Sequence, residues 1–153
     1  MKITDILDRR MIIPHLLSKS KEGILRELIH AVVQVEKQID EGRMLEILLE
    51  RENLGSTGIG DGVAIPHGKS TDVQRLLASF GRCVPGMDFQ SMDGKPTHLF
   101  FLLIAPENSA GIHLKALAQI SRLMKDPPFR KRLMEAQTTD EIYSLFYEGN
   151  DKT

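Results

Sequence analysis

Several residue types that define whole classes of protein are scarce or absent in this chain. Its 153 residues include one cysteine, no tryptophan and two tyrosines. The single Cys83 excludes an internal disulfide and a zinc site built from several cysteines, and it is typical of a reducing compartment. The shortage of Trp and Tyr removes the aromatic platform on which single-stranded nucleic acids stack.

Neither an excess of one charge nor a long apolar run is present. The 20 basic and 21 acidic side chains give a formal net charge of -1. Nucleic-acid readers carry a basic patch or stripe, so we expect no nucleic-acid partner. No apolar run approaches the length of about 20 residues that spans a membrane, and the N-terminal stretch lacks the apolar part of a signal peptide. We therefore expect a cytoplasmic protein with no direct membrane insertion.

The hydrophobic pattern predicts helices near both ends of the chain and strands between them. Ser20 and Asp40 are typical N-caps for two early helices, and helical spacing returns after Asn108. Three apolar, strand-like runs lie between: 63–65, 74–84 and 98–105. Helices before, between and after strands predict an α/β domain whose sheet is covered on both faces. Without a linker or an internal repeat, residues 1–153 are predicted to form a single domain.

The segment from Arg51 to Lys69 has a composition that is unusual for a structural connector, RENLGSTGIGDGVAIPHGK. Glycine permits positive φ and close approach of the backbone to a ligand, and its exposed N–H groups can form an anion-binding nest. Ser56 and Thr57 add hydroxyl donors. Arg51 adds a planar guanidinium that suits two phosphoryl oxygens. This composition favours binding of a phosphoryl group.

One histidine, His67, lies inside this segment. Pro66 fixes its own φ and biases Ile65 toward extended geometry, so we expect His67 to leave the end of a strand in a defined direction. Strand ends are where α/β domains usually place their chemistry. An imidazole with an ordinary pKa of about 6.5 keeps a neutral, nucleophilic nitrogen at cellular pH. His67 is therefore the predicted nucleophile.

Two nucleotide-binding motifs are absent from the same segment. A P-loop needs four residues between its first glycine and its Gly-Lys pair, but five separate Gly62 from Gly68, and Pro66 would remove an N–H group from the loop. The dinucleotide pattern G-x-G-x-x-G also fails, because Val63 stands where the third glycine belongs after Gly58 and Gly60.

The segment resembles the active-site signature of the phosphotransferase-system enzyme IIA proteins of the fructose/mannitol class, and most closely their nitrogen-regulatory branch. The opening Ile-Thr-Asp-Ile-Leu, the Asp-Pro-Pro-Phe-Arg step and the last helix extend the resemblance over nearly the whole chain. The resemblance implies a mixed β-sheet sandwiched by helices on both faces. It also implies a phosphotransferase component that needs no cofactor, no metal and no free small-molecule substrate.

The resemblance also implies roles for individual residues. In that family a histidine after Ile-Pro accepts a phosphoryl group on Nε2 from a histidine phosphocarrier protein, and this role falls on His67. An arginine sixteen positions earlier serves the phosphoryl group, which places that role on Arg51. A second histidine on a downstream helix matches His113. Ser56 and Thr57 are expected as further phosphoryl-binding residues.

Three functions stay open on the sequence. The first is a nitrogen- or potassium-type regulator, whose phosphorylation state alters its binding to regulatory target proteins such as potassium-transport regulators and sensor kinases. The second is a sugar-specific enzyme IIA that passes the phosphoryl group to the cysteine domain of a fructose- or mannitol-class permease. The third, a metal-dependent hydrolase using His67 and His113, is disfavoured because no His-x-x-x-His pair or carboxylate cluster accompanies them.

Overall fold

A short first strand, two α-helices, five further strands and three α-helices follow one another along residues 1–150, the part of the chain that the computed structural model describes. The helices are α1 (Lys21–Val33), α2 (Glu41–Asn53), α3 (Ala110–Met124), α4 (Pro127–Glu135) and α5 (Thr139–Gly149). The strands are β1 (Ile12–Ile13), β2 (Gly58–Gly60), β3 (Val63–Ala64), β4 (His67–Ser70), β5 (Leu77–Met87) and β6 (Thr97–Pro106). No helix within this range is long and apolar enough to cross a membrane.

Both predicted N-caps are confirmed at the start of the first two helices. The Ser20 side chain accepts a hydrogen bond from the backbone N–H of Gly23, and the Asp40 side chain accepts one from that of Arg43. Each bond satisfies an N–H group that has no partner inside the helix. The register of α1 and α2 along the chain is therefore set by local sequence.

The strands form one mixed sheet in the order β1-β5-β6-β3-β2, with β4 paired to β6 beyond β3. β5 is antiparallel to β6, and β2 is antiparallel to β3. β1 pairs with β5 in parallel, and so do β3 and β4 with β6. Long β6 therefore lies at the centre, and the mixed sheet expected from the family resemblance is confirmed.

Helices cover both faces of this sheet, as predicted. Neighbouring strand residues point to opposite faces, and Ser79 and Phe80 of β5 do so. The Ser79 hydroxyl donates to the Leu28 carbonyl of α1 at 2.9 Å, whereas the Phe80 ring lies 5.0 Å from the Phe146 ring of α5. α1 and α5 therefore pack on opposite faces.

The strand that carries His67 differs from the prediction. His67 comes after the end of β3, as expected, but it is also the first residue of a further strand, β4. β3 and β4 lie along β6 in one register, with Ala64 opposite Phe100 and His67 opposite Leu103. They are two parts of one strand that is interrupted at Pro66, which has no N–H group to donate. The Pro66 carbonyl still accepts from the Leu103 N–H at 2.9 Å, so the interruption is local.

The glycine run also differs from the prediction. Gly58–Gly60 is a short strand, β2, rather than a nest of free amides beside His67. The turn that follows has positive φ at three successive residues, 90° at Gly60, 58° at Asp61 and 77° at Gly62. Glycine tolerates this region and most side chains do not. The glycines therefore shape the tight turn that joins β2 to β3.

A buried arginine connects the sheet to the far helix layer. Arg82 of β5 is 2% exposed. Its guanidinium donates to the carbonyls of Leu133 at 2.8 Å and Ala136 at 2.6 Å, near the end of α4, and to that of Pro14 at 3.1 Å. Helix-end carbonyls carry partial negative charge and need partners. Arg82 therefore fixes the end of α4 against the sheet.

We expect Arg82→Met to lower the free energy of unfolding by about 3 kcal/mol, because buried carbonyls that lose a charged donor cost about 1–3 kcal/mol each. Urea denaturation followed by circular dichroism would measure it. Arg122→Met, at an exposed position of α3, is the matched control and is expected to stay within about 0.5 kcal/mol of the parent. Equal stability of the two variants would contradict this role for Arg82.

Candidate active site

The ring of His67 is held in one tautomer by the backbone. Its Nδ1 lies 2.8 Å from the carbonyl oxygen of Ile65, two residues earlier. A carbonyl oxygen can only accept, so Nδ1 carries the proton and Nε2 keeps its lone pair. The side chain is partly exposed at the surface. His67 thus keeps its lone pair on Nε2, in a side chain that is partly exposed.

His113 of α3 lies directly beside this ring. The two imidazole centroids are 5.5 Å apart and the ring planes meet at 75°. His113 is 7% exposed, and its buried Nε2 has no hydrogen-bond partner among residues 1–150. An unpartnered buried nitrogen is costly. The position of His113 near the first turn of α3 favours an anion close by.

Both histidines have a pKa below the ordinary value for the side chain. For His67 the main cause is burial, and the charge of Arg51 lowers the pKa further, while the bond to Ile65 opposes both. For His113 burial again lowers the pKa most, followed by the charges of His67 and Lys69. The charged form is disfavoured in each case. Both rings are therefore neutral at neutral pH.

Arg51 reaches the site from the last turn of α2. Its Nη1 donates to the Gly55 carbonyl at 2.8 Å, and the guanidinium carries further N–H donors on its other nitrogens. The side chain is partly buried. Its positive charge also contributes to lowering the pKa of His67.

A close approach of α2 to β4 brings Arg51 to this position. A Cβ atom on Gly68 would lie 2.9 Å from Cγ2 of Ile47 and 3.2 Å from Cε of Met44, both on α2. Only glycine therefore lets the helix pack this near the residue that follows His67. The Gly68 of the Pro-His-Gly triplet serves helix packing.

The two predicted hydroxyl donors are engaged in the loop itself. Thr57 is buried, and its hydroxyl donates to the carboxylate of Glu52. A hydroxyl has one proton, so Thr57 anchors the loop and does not have the free donor predicted for a phosphoryl ligand. The Ser56 hydroxyl accepts from the Gly58 N–H at 3.0 Å and donates to the Phe89 carbonyl at a long 3.4 Å.

The site has no recognisable set of metal ligands. Within residues 1–150, no group of three or more His, Cys, Asp or Glu side chains could hold a metal ion. Structural and catalytic zinc sites need at least three such ligands.

Residues 5–149 match the family described as "Phosphoenolpyruvate-dependent sugar phosphotransferase system, EIIA 2". The chain belongs to this family. The activity common to enzyme IIA proteins is phosphoryl transfer, so this chain is a phosphotransfer component.

Individual relatives are similar over nearly the whole chain. A nitrogen regulatory protein of Bradyrhizobium diazoefficiens is 43% identical over 95% of this chain and 94% of its own length. The fructose-specific EIIABC component of Bacillus subtilis is 39% identical over 95% of this chain, which corresponds to 23% of that longer protein. The crystal structure of nitrogen regulatory protein IIA-Ntr from Neisseria meningitidis superposes with a TM-score of 0.87, at 33% identity, and covers 94% of this chain and 98% of that one.

The enzyme IIA fold brings three of the predicted residues together and reveals two that the sequence did not indicate. His67, His113 and Arg51 share one site. The unpredicted pair is Glu52 and Lys21, whose carboxylate and ammonium lie 3.0 Å apart and are both largely buried. Glu52 follows Arg51 on an amphipathic helix, where a charged residue usually faces solvent. Nothing in its local sequence signals burial.

We expect both His67 and His113 to titrate below the unfolded value of about 6.5, because burial disfavours their charged forms. Between the native pKa values and about pH 6.5 the unfolded chain binds more protons than the native protein. The free energy of unfolding is therefore unaffected above about pH 6.5 and decreases as the pH falls from there toward the native pKa values. Imidazole NMR titration of the native protein, with the urea-unfolded chain as reference, would measure this. A native pKa of either ring at or above the reference would contradict it.

Proposed function

We propose that this enzyme IIA is a phosphohistidine carrier that accepts a phosphoryl group on Nε2 of His67 from a histidine phosphocarrier protein. The observation that carries the proposal is the bond from His67 Nδ1 to the Ile65 carbonyl, which leaves the Nε2 lone pair free. Nε2 attacks phosphorus, the N–P bond of the donor histidine breaks, and that electron pair stays on the donor's nitrogen. Nδ1 keeps its proton throughout, and no cofactor or metal takes part.

Charge stabilisation is the main task left to the protein. Phosphoryl transfer passes through a loose, in-line transition state with charge on the equatorial oxygens. Arg51 is placed to neutralise that charge, and the unpartnered Nε2 of His113, when it carries the proton, can donate to a phosphoryl oxygen. The Ser56 hydroxyl would have to give up its long bond to the Phe89 carbonyl before it could donate to the same oxygens. Thr57 contributes through the loop.

The regulatory role rests on the nitrogen regulatory relatives. One phosphoryl group adds nearly two negative charges at neutral pH, which is enough to change which surfaces bind. On this proposal, residues 1–153 act as a single cytoplasmic enzyme IIA unit, and the acceptors of its signal are regulatory target proteins of nitrogen or potassium control.

A sugar-transport role is the second candidate, favoured by the similarity to a fructose-specific component of Bacillus subtilis. The chemistry on His67 is then the same, and the phosphoryl group passes on to the cysteine of a permease domain. Incubation of the phosphorylated protein with a fructose-class cysteine domain separates the two roles. Rapid transfer of label to that cysteine supports transport, and its absence supports regulation.

We expect the purified protein, incubated with a phosphorylated histidine phosphocarrier, to take up one acid-labile, base-stable phosphoryl group. His67→Ala removes the nucleophile and should take up none. His15→Ala, at an exposed position, is the control and should be labelled like the parent. Labelling of the His67 variant at the parent level would show that the assignment of the nucleophile is wrong.

Arg51→Ala should slow transfer by about 10²–10³, the loss typical for removal of one donor to a developing charge. Rapid-quench kinetics with the phosphorylated donor would measure the rate. Arg43→Ala, on the exposed side of the same helix, is the matched control and should transfer at the parent rate. Equal rates for the two variants would remove Arg51 from the mechanism.

A further inference from the structure

Both carboxylate oxygens of Glu52 have hydrogen-bond partners. Its side chain is 3% exposed, and Oε1 lies 3.0 Å from Nζ of Lys21, the first residue of α1. The two carboxylate oxygens accept the backbone N–H of Thr57 at 3.2 and 3.1 Å, and Oε2 also accepts the Thr57 hydroxyl. A buried carboxylate is stable only when it is paired and hydrogen-bonded in this way.

A chain of three hydrogen bonds connects Glu52 to His67 through the backbone of Thr57 and Ile65. Thr57 donates its N–H to Glu52 and accepts the N–H of Ile65 on its carbonyl at 3.0 Å. The carbonyl of Ile65 in turn accepts the Nδ1 proton of His67 at 2.8 Å. The N–H and the C=O of one residue belong to neighbouring peptide planes that meet at its Cα, so these bonds restrain both planes at Thr57 and at Ile65. The carboxylate of Glu52 is therefore connected, through two restrained residues, to the carbonyl that selects the His67 tautomer.

Glu52 also restrains the loop that carries the acceptor for Arg51. Arg51 donates to the carbonyl of Gly55, which lies two residues before Thr57 in the loop. The Gly55 N–H also bonds back to the Glu52 carbonyl at 3.1 Å. The loop that carries the acceptor for the guanidinium is thus fixed at both sides by Glu52, once through its backbone and once through its side chain.

Charge balance adds a second reason for this arrangement. A bare carboxylate near the site would repel a phosphoryl dianion, and the charge of Glu52 acts on His67. The Lys21 ammonium at 3.0 Å offsets it. The ion pair therefore provides acceptors for the loop without leaving net negative charge where the phosphoryl group must arrive.

We propose that Glu52, held by Lys21, is a positioning residue for phosphoryl transfer, because it fixes the carbonyls that orient His67 and Arg51. This inference rests on the proposed function of His67. The sharpest variant is Glu52→Gln. The amide keeps the shape of the side chain but has one acceptor oxygen in place of two, and its NH₂ group must face either the Thr57 donors or the Lys21 ammonium.

The test combines a rate with a tautomer measurement. We expect Glu52→Gln to slow transfer from a phosphorylated histidine phosphocarrier by about tenfold to hundredfold, the cost of a small misplacement of reacting groups. Imidazole ¹⁵N shifts of His67 at pH 7.5 should show one tautomer in the parent, with Nδ1 protonated, and a mixture in the variant. Glu50→Gln, the same charge change at an exposed position of α2, should match the parent in both measurements.

The outcomes separate this inference from the proposed function. If the parent takes no label on His67, the proposed function fails. If the parent is labelled and Glu52→Gln reacts at the parent rate, or reacts slowly with an unchanged tautomer, the positioning role is overturned. If Glu52→Gln does not fold, Thr57→Val removes only the hydroxyl bond. It should then slow transfer about threefold to tenfold, the equivalent of one hydrogen bond, and a parent rate would overturn the role.

Discussion

The hydrogen bond from Nδ1 of His67 to the Ile65 carbonyl is the constraint on which the site depends. It spans two residues, and it fixes both the orientation of the ring and the location of its proton. Burial keeps the ring neutral by lowering its pKa. A neutral imidazole protonated on Nδ1 has one nucleophilic atom, Nε2. On the proposed function, the direction of attack is therefore set before the donor protein arrives.

This bond forms at a break in the strand. Pro66 cannot donate to the sheet, and β4 begins at His67 in the register that β3 has along β6. The neighbouring backbone groups remain paired, since the Pro66 carbonyl accepts from the Leu103 N–H of β6 and the Ile65 N–H donates to the Thr57 carbonyl. The Ile65 carbonyl bonds to the imidazole.

Helix packing supplies the other polar groups near His67. α2 packs against Gly68 and carries Arg51, and α3 places the His113 ring 5.5 Å from the His67 ring. The buried pair of Glu52 and Lys21 joins α2 to α1. Buried ionic groups are costly unless every oxygen has a partner. A site that acts by positioning and electrostatics needs oriented groups, and a buried ion pair provides them at some cost in stability.

The sequence by itself determined the elements whose signals are local. Helix caps at Ser20 and Asp40 and the α/β class follow from periodicity and from capping chemistry, and the Ile-Pro-His-Gly pattern singles out His67 as the candidate nucleophile. Only the tertiary structure decided the strand order, the pairing of the glycine run as β2 and the burial of Glu52. These depend on contacts between residues far apart in the chain. A carboxylate has the same local signature whether it faces water or an ammonium from another helix.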